Sequence, residues 1–326
     1  MKRLITERRW KEHLLRRQNS QLARKNRSGS SAYITTSPRR KRRYEEFRVP
    51  SQFSIIKNPE EMNRFFQKLR LYSRVSGIKL DWQNVTFISP EAIAAFIATM
   101  ESIKGIEVQG NLPYNQDARD TLLCSGFFEH VHNTVPLPTG RTGKILKRGS
   151  KRVEPRSALE LIECGAKQAF GTMNRSHSTR AAYKTLIELM NNTHNHAAGK
   201  KPDTEKWWAT SFGNSSRKIV CYSFVDTGVG IFRSVKMRSL QRIFKMIGIT
   251  SNAEIMQEIL NGRVESSTGL AYRGKGLPAI YKAACNGDIK SLYIVSNNMF
   301  ADIDRSLFVG MTTSFEGTLY YWESEE

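Results

Sequence analysis

The sequence contains no apolar run near the roughly 18 residues that a membrane-spanning helix needs, so an integral membrane protein is not expected. The basic N-terminus lacks the apolar core of a secretory signal, and nothing in it points to export. Cysteine is scarce. Cys124, Cys164, Cys221 and Cys285 lie far apart, without a CxxC pair or metal-ligand spacing. They are read as reduced, mostly buried thiols of a cytoplasmic protein. Acidic residues are also few, 30 against 51 Lys and Arg, which leaves a net charge of +21.

That charge is uneven. Residues 1–48 hold sixteen Lys and Arg against four Glu, a net +12. Such an arm suits a phosphate backbone, because neutralising phosphates releases counterions. With few aromatics interleaved, Trp10, Tyr33 and Tyr44 before the closing Phe47, a solvated arm or a contact with an acidic protein surface also fits it. Nucleic acid is therefore kept as one partner, through 1–48; a protein partner through the domain over 47–132 and a homodimer are the others.

Hydrophobic content of 39% over 326 residues allows two folded domains. The segment 1–46 reads as a largely flexible basic arm with one short helix around 4–25. A first α/β domain is expected over 47–132. In it Met62, Phe65, Phe66 and Leu69 recur at helical spacing, and "GIKLDWQNVTFI" alternates like a strand. Ser89 and Pro90 read as the N-cap and first position of a second helix, and Gly126 as the stop of a later one. Residues 133–155, rich in Pro, Gly and basic residues, read as a linker. A second domain, 156–326, begins with two helical stretches. A strand pair then runs into Asp226, and further strands lie near the end. Helices followed by a mostly antiparallel sheet define an α+β sandwich.

Four short clusters in the second domain carry chemistry: "ELMNNTHNHA" from Glu188, "DTGVGI" from Asp226, "RGKGLP" from Arg273 and "EGT" at 316–318. Singly each has a bland reading. Asp226 before Thr-Gly caps turns routinely, Glu188 and Asn192 fit an exposed helix face, and His196 fits a satisfied core histidine. In this order and at these separations they resemble the Bergerat-fold nucleotide site of the GHKL (histidine kinase-like) superfamily. Its members include DNA gyrase, heat-shock chaperone ATPases, mismatch-repair ATPases, sensor histidine kinases and anti-sigma-factor kinases.

The resemblance implies ATP and Mg²⁺ as cofactors and assigns the residues. Glu188 would orient or deprotonate the attacking water. Asn192, one turn on, would hold the metal, and His196 falls where the kinases carry His or Tyr. Asp226 would accept a hydrogen bond from the adenine amino group, above a turn made by Gly228 and Gly230. Gly274, Lys275 and Gly276 would face the phosphates at a helix start, and Thr318 would support the adenine end. The stretch 232–273 would be a lid, with Arg233, Lys236, Arg238, Arg242, Lys245 and Arg273 facing phosphate, a partner or water.

Within 47–132, "IKLDWQNVTFISPEAIAAFIATM" and "NQDARDTLLCSGFFEHV" are similar to a STAS domain, the fold of anti-sigma-factor antagonists. Where that family's phosphoswitches carry Asp-Ser-Ser-Gly, this chain has Ser89-Pro90-Glu91-Ala92. A phosphorylation switch is not expected there. Glu91 would either imitate a permanently phosphorylated state or belong to a domain that only docks. The implied function is a Mg-dependent ATPase whose nucleotide cycle switches the STAS-like domain or a partner. A Ser/Thr protein kinase of the anti-sigma type, or a basic nucleic-acid-binding regulator, is the alternative.

Overall fold

The computed structural model describes residues 44–71, 77–103, 106–131, 137, 143–149, 153–172, 176–197, 206–234, 251–263 and 276–325. The basic arm up to Arg43, including the helix expected around 4–25, lies outside the described residues.

In the first half, β1 (Tyr44–Arg48), β3 (Gly77–Asp81) and β5 (Glu107–Gly110) form a parallel sheet in the order β1-β3-β5. Two short strands, β2 (Gln52–Phe53) and β4 (Phe87–Ile88), pair beside it. Helix α1 (Pro59–Leu71) buries Met62, Phe65, Phe66 and Leu69, the stripe its periodicity predicts. Helix α2 (Pro90–Ser102) buries nine successive residues, Glu91 to Thr99, and is covered on every side. Helix α3 (Gln116–Cys124) opens with Asn115 accepting the Ala118 N–H at 3.0 Å. The chain turns away after it at Gly126, with φ 84°.

The second half is a five-stranded antiparallel sheet, ordered β6-β7-β8-β10-β9. Its strands are β6 (Gly143–Gly149), β7 (Lys206–Asn214), β8 (Ile219–Asp226), β9 (Lys290–Asp302) and β10 (Leu307–Glu325). Five helices accompany it among the described residues: α4 (Pro155–Phe170), α5 (His177–Ala197), the single turn α6 (Ile231–Ser234), α7 (Asn252–Leu260) and α8 (Gly276–Cys285). The chain is thus mixed α and β, and among the described residues no helix is long and apolar enough to cross a membrane.

Two expectations shift here. Strand β6 lies inside the segment read as a linker and pairs with β7 from Gly143 to Gly149. Residues 43–326 form one compact unit, because both faces of the large sheet are buried. Successive residues point to opposite faces. Trp208, Val225, Val295 and Leu319 join the core of the first half, while Trp207, Phe224, Ile294 and Tyr320 join the core under α4, α5 and α8. The first half therefore covers one face of the sheet through α2, which packs on β7, β8 and β10.

That packing overturns the phosphomimic reading of Glu91. Its side chain is 0% exposed, so no partner can read its charge. Ser89 is no side-chain cap either: its hydroxyl is spent on the Phe53 carbonyl and the Glu91 carboxyl. Ser54 Oγ also donates to Glu91 Oε1, at 2.9 Å, while Oε2 has no partner among the described residues. Burial raises the Glu91 pKa, against opposing hydrogen bonds from Ser89, its own backbone, Ser54 and Ile56. A carboxyl whose folded-state pKa is raised favours the fold below its ordinary range. It loses that contribution as pH rises through the folded value. Glu91→Gln, always neutral and of the same shape, is expected to gain about 1–3 kcal/mol at pH 8 and little at pH 5. Urea midpoints at both pH values measure this. An equal loss at both would refute the linkage.

The thiols are less buried than expected. Cys285 is exposed and the other three are half-buried. Burial pushes the Cys221 thiol up to about 12, which leaves it unreactive.

Candidate functional site

Helix α5 buries Leu186, Leu189, Met190 and Thr193 against the core. Glu188 and Asn192, four apart, stand together on a half-buried face beside that stripe. Both reach the start of α8. A Cβ on Gly276 would lie 2.9 Å from Asn192 Oδ1 and 3.0 Å from Glu188 Oε2, so the ends of both side chains pack directly on the backbone of the helix start. Asn192 Nδ2 is buried without a hydrogen-bond partner among the described residues. A buried amide left unpaired costs about 1–3 kcal/mol, and a bound group would relieve it.

A carboxylate and an amide oxygen beside a glycine-lined gap suit a hard divalent cation that completes its shell with phosphate oxygens. Mg²⁺ therefore fits Asn192, with Glu188 next to it. His196 lies in the last turn of α5, and its side chain is outside the described residues, as are Gly274 and Lys275. Of the three residues expected at the phosphates, the structure describes Gly276 alone.

The other cluster sits where β7 begins and β8 ends, beside the middle of β10 and β9. Register places Trp207 opposite Asp226, Asp226 opposite Thr318, and Thr318 opposite Ser296, a row running from β7 to β9. Alternation puts Asp226 on the face of Tyr222 and Phe224, the face packed under α5 and α8. The Tyr320 pKa is raised well above its usual value, by burial first and then by the Asp226 charge beside it.

Asp226 is half-buried, and its Oδ1 accepts the Gly228 N–H at 2.8 Å. The turn-capping reading is thus realised by one carboxylate oxygen. Gly230 takes φ 84°, and a Cβ there would meet the Asn297 amide at 2.5 Å. Gly317 has φ 94°, and its Cβ would fall 1.9 Å from the Asp226 carbonyl oxygen. Glycine is obligatory here because two backbones touch. Thr318 is buried, with its hydroxyl 3.2 Å from Ser296 Oγ.

Sequence reasoning missed Ser296 and Asn297. Ser296 Oγ accepts the Ile231 N–H at 2.8 Å and donates to the Gly317 carbonyl at 3.2 Å. Asn297 donates to the Val229 carbonyl at 3.0 Å and accepts the Phe232 N–H at 3.2 Å. Together they set the whole 226–232 turn from the neighbouring strand. The available signal was the polar triplet in "LYIVSNNMF", inside an otherwise apolar strand.

The expected lid is partly a packed helix. Within 232–273, α7 is closed by a capping box between Ser251 and Glu254, and it buries Ile255, Met256, Ile259 and Leu260. Residues 235–250 and 264–275, with Lys236, Arg238, Arg242, Lys245 and Arg273, lie outside the described residues, as does the Arg233 side chain. A cavity of about 560 Å³ opens at the other end of the sheet, around Ser54, Glu91, Arg217, Cys221 and Glu323, and involves none of the expected site residues. No family model matches the chain, and no curated protein matches it in sequence.

Proposed function

We propose that this chain binds ATP with Mg²⁺ between the start of α8 and the β8–β10 corner, in the manner of a GHKL ATPase. It hydrolyses the nucleotide and uses the cycle as a conformational switch felt by its first half or a partner. The observation that carries the reading is the convergence of Glu188 and Asn192 on Gly276, with Asn192 Nδ2 left without an acceptor, such as a phosphate oxygen would be, among the described residues. The Asp226–Thr318 register on the same sheet face supports it.

The nucleotide's triphosphate with its metal supplies the electrophilic phosphorus and its charge neutralisation. The chain's own residues do the rest. Asn192 would hold the cation through its amide oxygen, and Glu188 would take a proton from the attacking water. Asp226 would accept from the base's exocyclic amino group while its other oxygen keeps the turn closed. Gly317 lets β10 approach β8 closely enough for Thr318 to border the same slot.

Calorimetric titration with Mg·ATP tests the reading. Asp226→Asn keeps an oxygen for the Gly228 N–H but loses the charged acceptor. Its affinity is expected to fall about tenfold to a hundredfold at unchanged thermal stability. No heat from the wild-type chain would sink the proposal.

A further inference from the structure

Strand β10 has little register of its own just before the site. Its ladder with β9 is irregular between Gly310 and Phe315 and again between Phe315 and Thr318. Over that gap α1, about 250 residues earlier in sequence, supplies the missing partners. Glu60 accepts the Thr312 N–H at 2.6 Å and the hydroxyls of Thr312 and Thr313 at 2.9 and 2.8 Å. Gln67 donates to the Ser314 carbonyl at 2.9 Å. Arg70 Nε lies 3.3 Å from Glu316 without hydrogen-bond alignment, and its Nη2 donates to Thr99 on α2 at 3.2 Å. Met311 and Phe315 sink into the core of the first half. The next residues are Gly317 and Thr318.

Strand β7, across β8 from β10, is also tied to the first half. Lys206 at the start of β7 reaches Glu101 of α2 at 3.5 Å. Its backbone N–H donates to Thr227 Oγ1 at 3.2 Å, one residue beyond Asp226. The two strands that flank β8, β7 and β10, are thus both tied to the first half.

We infer that α1 is a positioning element for the adenine end of the site, with Glu60 and Gln67 fixing the approach of 312–316 to the point where Gly317 and Thr318, already in register with β8, meet Asp226. The inference rests on the nucleotide reading above. These contacts are not large stability terms. Thr312 is exposed, the Arg70–Glu316 pair is half in water, and such pairs contribute little. Their effect is geometric: 318–325 hold their register through an unbroken ladder with β8, and the grip of α1 sets how 312–316, whose ladder with β9 is interrupted, lead into it. Linkage then runs both ways, so nucleotide binding tightens the grip of α1 on 312–316 by the factor with which α1 improves affinity.

The test uses the full chain. Glu60→Ala is expected to weaken Mg·ATP binding about tenfold, with kcat within about twofold, because Glu188 sits on α5 beyond the sheet. Glu60→Gln, which still accepts the Thr312 N–H, should recover most of the affinity. Amides 312–318 should exchange faster in Glu60→Ala even without nucleotide. Should Glu60→Ala fold poorly, Gln67→Ala removes the Ser314 bond alone and is expected to shift affinity the same way by a smaller factor. Faster exchange at 312–318 with unchanged affinity would reduce α1 to a structural prop and overturn the proposal alone. A wild-type chain that binds no Mg·ATP would overturn this proposal and the nucleotide reading together.

Discussion

Glu188→Gln is expected to cut ATP turnover by about 10²-fold or more while leaving Mg·ATP affinity near that of the wild type. Glutamine has the same shape, so Gly276 still meets an oxygen or nitrogen at the distance glutamate sets, and α8 has no reason to move. What disappears is the group able to take a proton from water. The Asn192 amide, one helical turn away, remains to hold the cation. Phosphate release at saturating ATP, measured beside calorimetric affinity, separates the outcomes. Unchanged turnover would remove Glu188 as the base. A parallel loss of affinity would make it a binding residue.

Gly317→Ala is expected to destabilise the fold by about 3 kcal/mol or more and to abolish nucleotide binding. Two costs combine. A φ of 94° strains any residue with a Cβ, and the new atom would stand 1.9 Å from the Asp226 carbonyl oxygen, deep inside contact distance. Relief requires β8 and β10 to part where Thr318 faces Asp226, which dismantles the corner proposed to bind the base. Gly310→Ala on the same strand is the control, since nothing lies within 4 Å of its added Cβ. Urea midpoints for the two variants should differ widely. Equal, small shifts would show that the strands do not approach so closely.

Local chemistry was readable from the chain alone. The spacing of Glu188 and Asn192 gives one helical face, because four residues complete about a turn. The apolar run into Asp226 gives β8 and its end, and Gly126 marks a stop after α3. The stripe Met62, Phe65, Phe66 and Leu69 gives the inner face of α1. Each signal depends on neighbours within one or two turns or on strand alternation, and such short-range periods are carried by adjacent residues.

Other features answer to partners far away in sequence. Nothing near Glu91 announces that a sheet more than a hundred residues later will bury it and take an expected surface signal into the core. Segment 143–149 looks like a linker by composition, and it is a strand because β7 offers it an unpaired edge. Ser296 and Asn297 matter only because β9 lies next to the 226–232 turn. Thr318 borders Asp226 only through the register of β10 on β8. Pairing and burial are long-range choices, made when separate elements compete to cover the same apolar faces. Side-chain type and period set what each segment can become, and tertiary packing selects its partner.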